Sequence, residues 1–293
     1  MKRIIKTQFA IVIISIIFAT KAYGQKGLYL NVGGGYGIGI AANSNAASYD
    51  HIESSGSNTQ KISNGSGSFG KGVQFGATVG FMFSENIGAE LNVGYLVGTK
   101  STQTINQDNY LMPPFMVSSS YENKMSGNMF RLTPALKFSV GKDKLKPYMR
   151  IGLVIGMAGK IKNEITRSRP SFNGVQIVTE QESSMTGGVS IGLSAGLGAN
   201  YKLNDKLGIF AEIAFISQSW APNKSLLTKY TENGVDQLSS MTTNQKETIY
   251  LNSYTEVFGP SNPNVPAQAL KTAMPFSSIG LNIGVQLSFG EAE

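Results

Sequence analysis

Residues 276–289, FSSIGLNIGVQLSF, determine the fold that this sequence predicts. The odd-numbered positions from Ile279 to Phe289 are apolar, and the even-numbered positions from Ser278 to Ser288 are small or polar. A period of two is typical of a β-strand with one apolar and one polar face. The alternation lasts for about eleven residues, enough for a tilted strand to cross a bilayer, whereas an average strand has about five or six. We therefore predict a membrane-spanning strand, which needs similar neighbours because lipid does not tolerate unpaired backbone groups.

The composition is compatible with a membrane barrel, in which half the residues of each strand face a polar interior. The 293 residues include 34 glycines and 10% aromatic residues, and only 15% are charged, against about 25% in an average domain. Cysteine is absent, which excludes a disulfide framework, thiolate metal sites and a lipid-modified cysteine.

The N-terminus predicts export by a cleavable signal peptide. Basic residues at positions 2, 3 and 6 precede an apolar run at 9–19, and Ala22-Tyr23-Gly24 follows. The alternative, an uncleaved helical anchor, is disfavoured because the run is well below the length that spans a bilayer. We expect a signal peptide at 1–24 and one outer-membrane β-barrel domain at 25–293. Because the signal peptide carries four basic residues and no acidic one, its removal lowers the formal net charge from +7 to +3. The basic charge therefore predicts no nucleic-acid partner.

Seven further segments show the same alternation, and together with the last they predict eight strands. Their residue numbers are 28–40, 72–83, 87–98, 127–140, 147–157, 186–203 and 207–218. Long segments read as loops (41–71, 99–126, 159–185 and 219–275) alternate with short turns (84–86, 141–146 and 204–206). This rhythm predicts an all-β, eight-stranded, antiparallel up-and-down barrel with long extracellular loops and short periplasmic turns. A secreted β-sandwich is the alternative, but its strands are usually shorter. Pro134 lacks an N–H group inside a predicted strand, so we expect a bulge or a gap there.

Aromatic residues on the apolar faces favour a membrane position, because such residues form girdles at both bilayer interfaces. One predicted girdle lies at the short-turn end and the other near the loops. The girdle at the short-turn end consists of Phe83, Phe138 and Tyr201. The girdle near the loops consists of Tyr95, Phe130 and Phe215.

The signal peptide, the eight strands and the terminal LNIGVQLSF resemble the small eight-stranded outer-membrane barrels, the family of the OmpX protein and the OmpA membrane domain. The resemblance covers 25–289 and departs at 290–293, which follow the terminal aromatic residue. It implies an outer-membrane, porin-like monomer in contact with membrane lipid and lipopolysaccharide. It also implies insertion by the barrel-assembly machinery, which would recognise a signal formed by Leu281, Ile283, Val285, Leu287 and Phe289.

Charged residues on the inward faces are the strongest candidates for a site. Glu90, Lys137, Arg150 and Glu212 all lie roughly 8 to 13 Å above the periplasmic rim, given about 3.3 Å per residue and a tilt of about 40°. We expect them to meet as a charge network, and Arg131 shares their inward face. The network could be a structural filling of the bore. Alternatively, by similarity to what is proposed for the OmpA interior, it could be a gate that passes small solutes.

An enzymatic role finds little support in the sequence. The only histidine, His51, lies beside Asp50, Glu53, Ser54 and Ser55, but no partner from another strand can be identified. Gly33-Gly34-Gly35 precedes no helix and therefore predicts no phosphate-binding loop. We predict no catalytic residue, cofactor or metal.

The predicted loops leave a binding role open, since function often resides in loops on a rigid scaffold. Residues 110–117 form an unusual apolar run, with Pro113-Pro114 at its centre. This run could contact an unknown extracellular ligand, fold inward as a plug, or extend a strand pair beyond the membrane. The predicted contact residues are Tyr110, Leu111, Met112, Phe115 and Met116.

Overall fold

The computed structural model describes residues 27–40, 51–55, 59–63, 67–112, 115–141, 144–171, 175–255 and 262–289. Within these ranges, the side chains of 51–55, 59–63, 105–112 and 115–118 are not described. The predicted signal peptide and residues 290–293 lie outside the described residues.

Eight long strands close into a barrel. They are β1 (Leu28–Gly39), β2 (Gly72–Met82), β3 (Ile87–Gly98), β4 (Phe115–Ser139), β5 (Leu145–Pro170), β6 (Ser190–Lys202), β7 (Leu207–Trp220) and β8 (Ser278–Ser288). Each pairs antiparallel with the next along the chain. β8 also pairs with β1, from Tyr29↔Ser288 to Gly39↔Ser278. The predicted eight-stranded barrel is therefore confirmed, and no barrel strand is left with an open edge.

The barrel wall has apolar side chains outside and polar side chains inside, which is the reverse of the arrangement in a soluble protein. Large apolar side chains point outward and are exposed, as in Ile191 (73% exposed), Ile283 (61%) and Leu281 (56%). Polar side chains such as Thr133 and Asn31 are buried inside. An apolar outer band around a polar interior is the arrangement that lipid requires of a barrel.

β4 and β5 continue far beyond the length that crosses a bilayer, with 25 and 26 residues. Ser101–Met112 pairs with β4, Gln176–Thr186 with β5, and Lys224–Glu232 with Gln176–Thr186. Two shorter strands, Glu247–Leu251 and Ala267–Leu270, continue the same sheet. We call the outward apolar surface of the eight barrel strands the membrane band. Its upper limit is the row of paired residues Phe75, Tyr95 and Phe130, and we call the part of the sheet beyond this row the crown.

The prediction that 99–126 and 159–185 are loops is wrong, because most of their described residues form strands of the crown, and the predicted loop 219–275 also contains three of its strands. Apart from the apolar run at 110–117, these segments consist mainly of polar residues, so they show little of the alternation by which a half-buried strand is recognised. Backbone pairing holds them extended without an apolar face.

The remaining elements are the paired strands His51–Ser55 and Thr59–Ser63, the short strands Val235–Asp236 and Met274–Pro275, the 3-10 helix Leu238–Ser240 and the helix Thr243–Lys246. Neither helix in the described part of the chain is long and apolar enough to cross a membrane.

Three local features interrupt the pairing. Gly187 and Gly188 have positive φ angles of 87° and 81°, which glycine adopts readily; they separate β6 from the crown, so β6 begins at Ser190 and not at 186. The register of β4 against β5 shifts near Asn128, close to Ala158 with its φ of 50°. Pairing of β4 with β5 also skips residues 133–134 without a change of register, while pairing with β3 is continuous. Pro134 is thus accommodated by the expected local gap.

Candidate functional site

The structure brings the four inward charges of the sequence prediction together as two ion pairs. The Lys137 ammonium lies 3.2 Å from Glu90, and the Arg150 guanidinium lies 2.6 Å from Glu212. Lys137, Glu90 and Glu212 are almost completely buried. Charges this deep require partners, and each has one of opposite sign.

Two tyrosines complete this arrangement. The Lys137 ammonium lies 4.5 Å from the ring centroid of Tyr29 and 4.3 Å from that of Tyr148, within the range of cation–π attraction. The Tyr29 hydroxyl donates a hydrogen bond to Glu90 (2.6 Å), and the Tyr148 hydroxyl donates one to Glu212 (3.2 Å). We call Lys137, Arg150, the two glutamates and the two tyrosines the charge layer.

The sequence analysis missed the role of both tyrosines, although a signal was present. Tyr29 has the same parity as the inward-facing Asn31, so its ring could have been assigned to the bore. Each ring lies against a glycine on the neighbouring strand: Tyr29 pairs with Gly80, and Tyr148 with Gly198. A Cβ atom at either glycine would overlap the ring. These two inward-facing glycines therefore make room for the aromatic rings.

A second layer, wholly apolar at its centre, lies at the crown end of the bore. Its rings are in contact, with 5.6 Å between the centroids of the tilted pair Phe69 and Phe276 and 5.9 Å between those of the edge-to-face pair Trp220 and Phe276. The Phe276 N–H donates to the Gln218 carbonyl (2.8 Å) and fixes the segment before β8 inside the barrel. We call this cluster the plug; its members are Phe69, Leu96, Met125, Met129, Ile161, Trp220, Met274 and Phe276.

Arg131 lies with the plug rather than with the charge layer. Its Nε donates to Gln218 Oε1 (3.0 Å), and one terminal nitrogen donates to the Phe276 carbonyl (3.0 Å). Gln218 in turn donates to Ser190 (2.9 Å). The guanidinium meets no carboxylate among the described side chains. It ties the plug to the barrel wall.

Two spaces remain in the bore. A cavity of about 90 Å³ lies between the layers and is lined by Glu90 and Arg150 on one side and by Leu96 and Arg131 on the other. A larger vestibule of about 620 Å³ lies at the short-turn end and extends to Tyr29 and Lys137. Side chains of the charge layer line both spaces, and Leu96 and Arg131 line the cavity on the side of the plug.

The other predicted residues lie on the outer wall or outside the described side chains. Phe83, Phe138, Tyr201 and the assembly-signal residues are exposed to the membrane band. Phe75, Tyr95 and Phe130 occupy one row of paired residues at the crown end, and Phe215 is also on the outer surface. The side chains of 110–112 and 115–116 are not described, although their backbone forms strands; the same holds for His51. The described residues contain no cluster of three or more histidine or acidic residues that could hold a metal ion.

Comparison with known proteins identifies a family. The model of the outer membrane protein beta-barrel domain matches residues 9–236. The solved structure of the outer membrane protein OprG from Pseudomonas aeruginosa is similar over 92% of this chain and 98% of its own, with 13% identity and a TM-score of 0.38. CarO of Acinetobacter baumannii is similar over 88% of this chain and 98% of its own, with 11% identity and a TM-score of 0.30. Similarity at these TM-scores carries no argument about function. No curated protein matches the chain.

Proposed function

The chain belongs to the outer membrane protein beta-barrel domain family, and we propose that its barrel is a closed, non-enzymatic scaffold that presents the crown at the cell surface as a binding platform. The crown is the observation that carries this proposal. β5 runs about a dozen residues past its row of the aromatic girdle, which corresponds to about 40 Å of strand at about 3.3 Å per residue. A barrel that served only to span the membrane would need no such extension.

The crown has the stiffness that a binding platform requires. β4 pairs with β5 from Ser120↔Ser168 to Asn128↔Lys160, so these strands leave the membrane as one ladder. Exposed ion pairs join other strands of the crown, including Lys229 on Lys224–Glu232 with Glu180 on Gln176–Thr186 at 2.7 Å. A surface that is ordered before binding loses less conformational entropy when a partner associates.

The bore supports a closed scaffold rather than an enzyme. In the charge layer every carboxylate is paired with a cation and accepts a hydrogen bond from a tyrosine, which leaves no free acid or base for proton transfer. In the plug, apolar side chains fill the space that a substrate would need. Both layers are consistent with the packed interior expected of a barrel of this size.

Trimming the crown tests the proposal. A Gram-negative host would display the full-length protein or a variant in which a four-residue turn replaces residues 163–183, and heat-modifiable migration on a gel would verify that both barrels fold. We expect the variant to lose cell–cell aggregation or adhesion to immobilised extracellular-matrix proteins. The purified wild-type protein should show no conductance in a planar bilayer. Equal adhesion of both proteins, together with conductance by the wild type, would refute the proposal.

A narrow gated passage is the second candidate, and the cavity between the two layers favours it. Side chains of the charge layer line both the vestibule and the cavity, so re-pairing of Glu90 or Arg150 would connect them. The corresponding test compares single-channel conductance of the wild type with Glu90→Ala and Arg150→Ala. Solute-selective conductance that these substitutions alter would favour the passage over the closed scaffold.

A further inference from the structure

Two lysines project from the outer wall immediately above the membrane band. Lys160 and Lys162 are exposed on β5, and Ile161 between them is buried in the plug. Their orientation follows from the irregularity at Ala158, which switches the outward parity of β5 from odd to even positions. Without that switch both ammonium groups would point into the bore.

The height of these lysines follows from the strand register. Phe130 pairs with Met157 and Tyr95 with Phe130, which defines the crown-end girdle row. Lys160 pairs with Asn128, two residues further along β4, so it lies about 5 Å above that row at a tilt of about 40°. The polar zone of a bilayer is about 5 to 7 Å thick on each side. Lys160 therefore lies at the depth of the lipid headgroups. Lys162 pairs with Ser126 and lies about 10 Å above the row, just beyond the headgroup zone, where its long side chain can reach back to it.

The residues paired with the two lysines are polar and neutral. Lys160 lies between Asn128 and Thr186, and Lys162 lies between Ser126 and Ser184. Residues paired across antiparallel strands share a face of the sheet, so these hydroxyl and amide groups flank the ammonium groups. Hydroxyl and ammonium groups are donors of the kind that phosphate oxygens accept. We call Lys160, Lys162 and these four neighbours the lysine patch.

The nearest acids are already paired with other lysines. Glu164, the next outward residue of β5, forms an ion pair with Lys100 at 2.7 Å. Glu247 forms one with Lys224, also at 2.7 Å. Glu182 is the diagonal neighbour of Lys162 across the strand pair, and its carboxylate lies 3.9 Å from Lys229. Among the described side chains no carboxylate forms an ion pair with Lys160 or Lys162, so the patch presents two positive charges about 7 Å apart along the strand.

We propose that the lysine patch binds the phosphate groups of a phosphorylated glycolipid of the outer leaflet, the lipopolysaccharide whose lipid anchor carries them. Its position in the headgroup zone favours a lipid-borne phosphate over a free one. The two lysines would contact the phosphate oxygens of a lipid that lies beside the barrel wall, while the girdle rings contact its acyl chains. This proposal rests on the membrane position of the barrel and is independent of any partner of the crown.

The test measures binding of phosphorylated lipid A to the full-length protein refolded in detergent micelles. Lys160→Gln/Lys162→Gln is compared with the matched control Lys202→Gln/Lys206→Gln, which removes the same charge at the short-turn end. Since a basic residue near an anionic lipid surface contributes about 1 kcal/mol, the patch variant should bind about 30-fold more weakly. The control should bind within about twofold of the wild type. Dephosphorylated lipid A should not distinguish the three proteins.

Three results would overturn the proposal: equal binding by patch variant and wild type, equal losses in patch variant and control, or displacement of the lipid by millimolar inorganic phosphate. Displacement would mean that the site takes free phosphate. Heat-modifiable migration verifies folding. If the double variant does not fold, the single variants Lys160→Gln and Lys162→Gln give the same comparison, each with an expected loss of about fivefold.

Discussion

Replacing Lys137 with methionine tests whether the charge layer depends on paired charges. Methionine keeps the length of the side chain and its apolar stem, and it removes the ammonium that lies 3.2 Å from Glu90. Only the Tyr29 hydroxyl, at 2.6 Å, would then contact this buried carboxylate among the contacts now present. The variant therefore isolates the cost of leaving one charge unpaired inside the barrel.

The expected decrease in the free energy of unfolding follows from the burial of the ion pair between Lys137 and Glu90. The side chains of Lys137 and Glu90 are 2% and 3% exposed, and breaking such a buried pair by removing one partner costs about 3 to 5 kcal/mol. Loss of the cation–π contacts with the two tyrosine rings is part of that figure, at about 1 to 2 kcal/mol. The double variant Lys137→Met/Glu90→Gln removes both charges. The double variant should recover most of the lost free energy of unfolding, which should then lie within about 2 kcal/mol of the wild-type value.

Urea unfolding of the refolded barrel in lipid vesicles provides the assay. The only tryptophan in the chain, Trp220, is buried in the plug, so its fluorescence reports loss of the interior. Lys202→Met is the control, because its ion pair with Asp205 is exposed and such pairs contribute at most about 1 kcal/mol. If Lys137→Met cost less than about 1 kcal/mol, or if the two single losses simply added, water from the vestibule would be solvating Glu90 and the paired-charge reasoning would be wrong.

Three further predictions concern other parts of the chain. Gly80→Ala should cost about 1 to 3 kcal/mol in the same unfolding assay, because the new methyl group overlaps the Tyr29 ring; an unchanged urea midpoint would contradict this packing. Phe276→Ala should cost about 3 to 5 kcal/mol by leaving a cavity in the plug, yet single-channel recording should still detect no conductance, because the charge layer remains; stable openings would assign the seal to the plug alone. Phe289→Ala should lower the yield of heat-modifiable barrel in outer-membrane fractions, whereas deletion of residues 290–293 should not, and the reverse result would place the assembly signal elsewhere.

Much of the barrel could be predicted because its signal is local. The apolar positions of β8 and β1 alternate within a single strand, so the sequence alone indicates which side chains face lipid. Loop lengths then fix the up-and-down order. The crown could not be predicted in the same way, because consecutive residues such as Thr166 and Arg167 are both exposed, and a ladder with water on both faces requires no alternation of polarity.

The candidate site was predictable in part. Counting residues from the short turns brought Glu90, Lys137, Arg150 and Glu212 to one level, because the rise per residue and the tilt vary little among small barrels. The count was not applied to Arg131, which is six residues from Lys137 on β4 and so about 15 Å from it along the barrel axis; its guanidinium lies with the plug. It also gave no reason to place Phe276 in an apolar plug, since Phe276 was predicted to be the first residue of the last strand, whereas β8 begins at Ser278.

The sequence by itself determined that this chain forms a membrane barrel and which face of each strand meets lipid, because the period of two is a property of each strand alone. Only the tertiary structure decided which inward side chains meet across the bore. Lys137 lies between Tyr29 and Tyr148, from strands far apart in the chain, and that contact depends on the relative register of all eight strands around the closed barrel. The outward turn of Lys160 and Lys162 was decided in the same way, by one irregular residue in the pairing of β4 with β5.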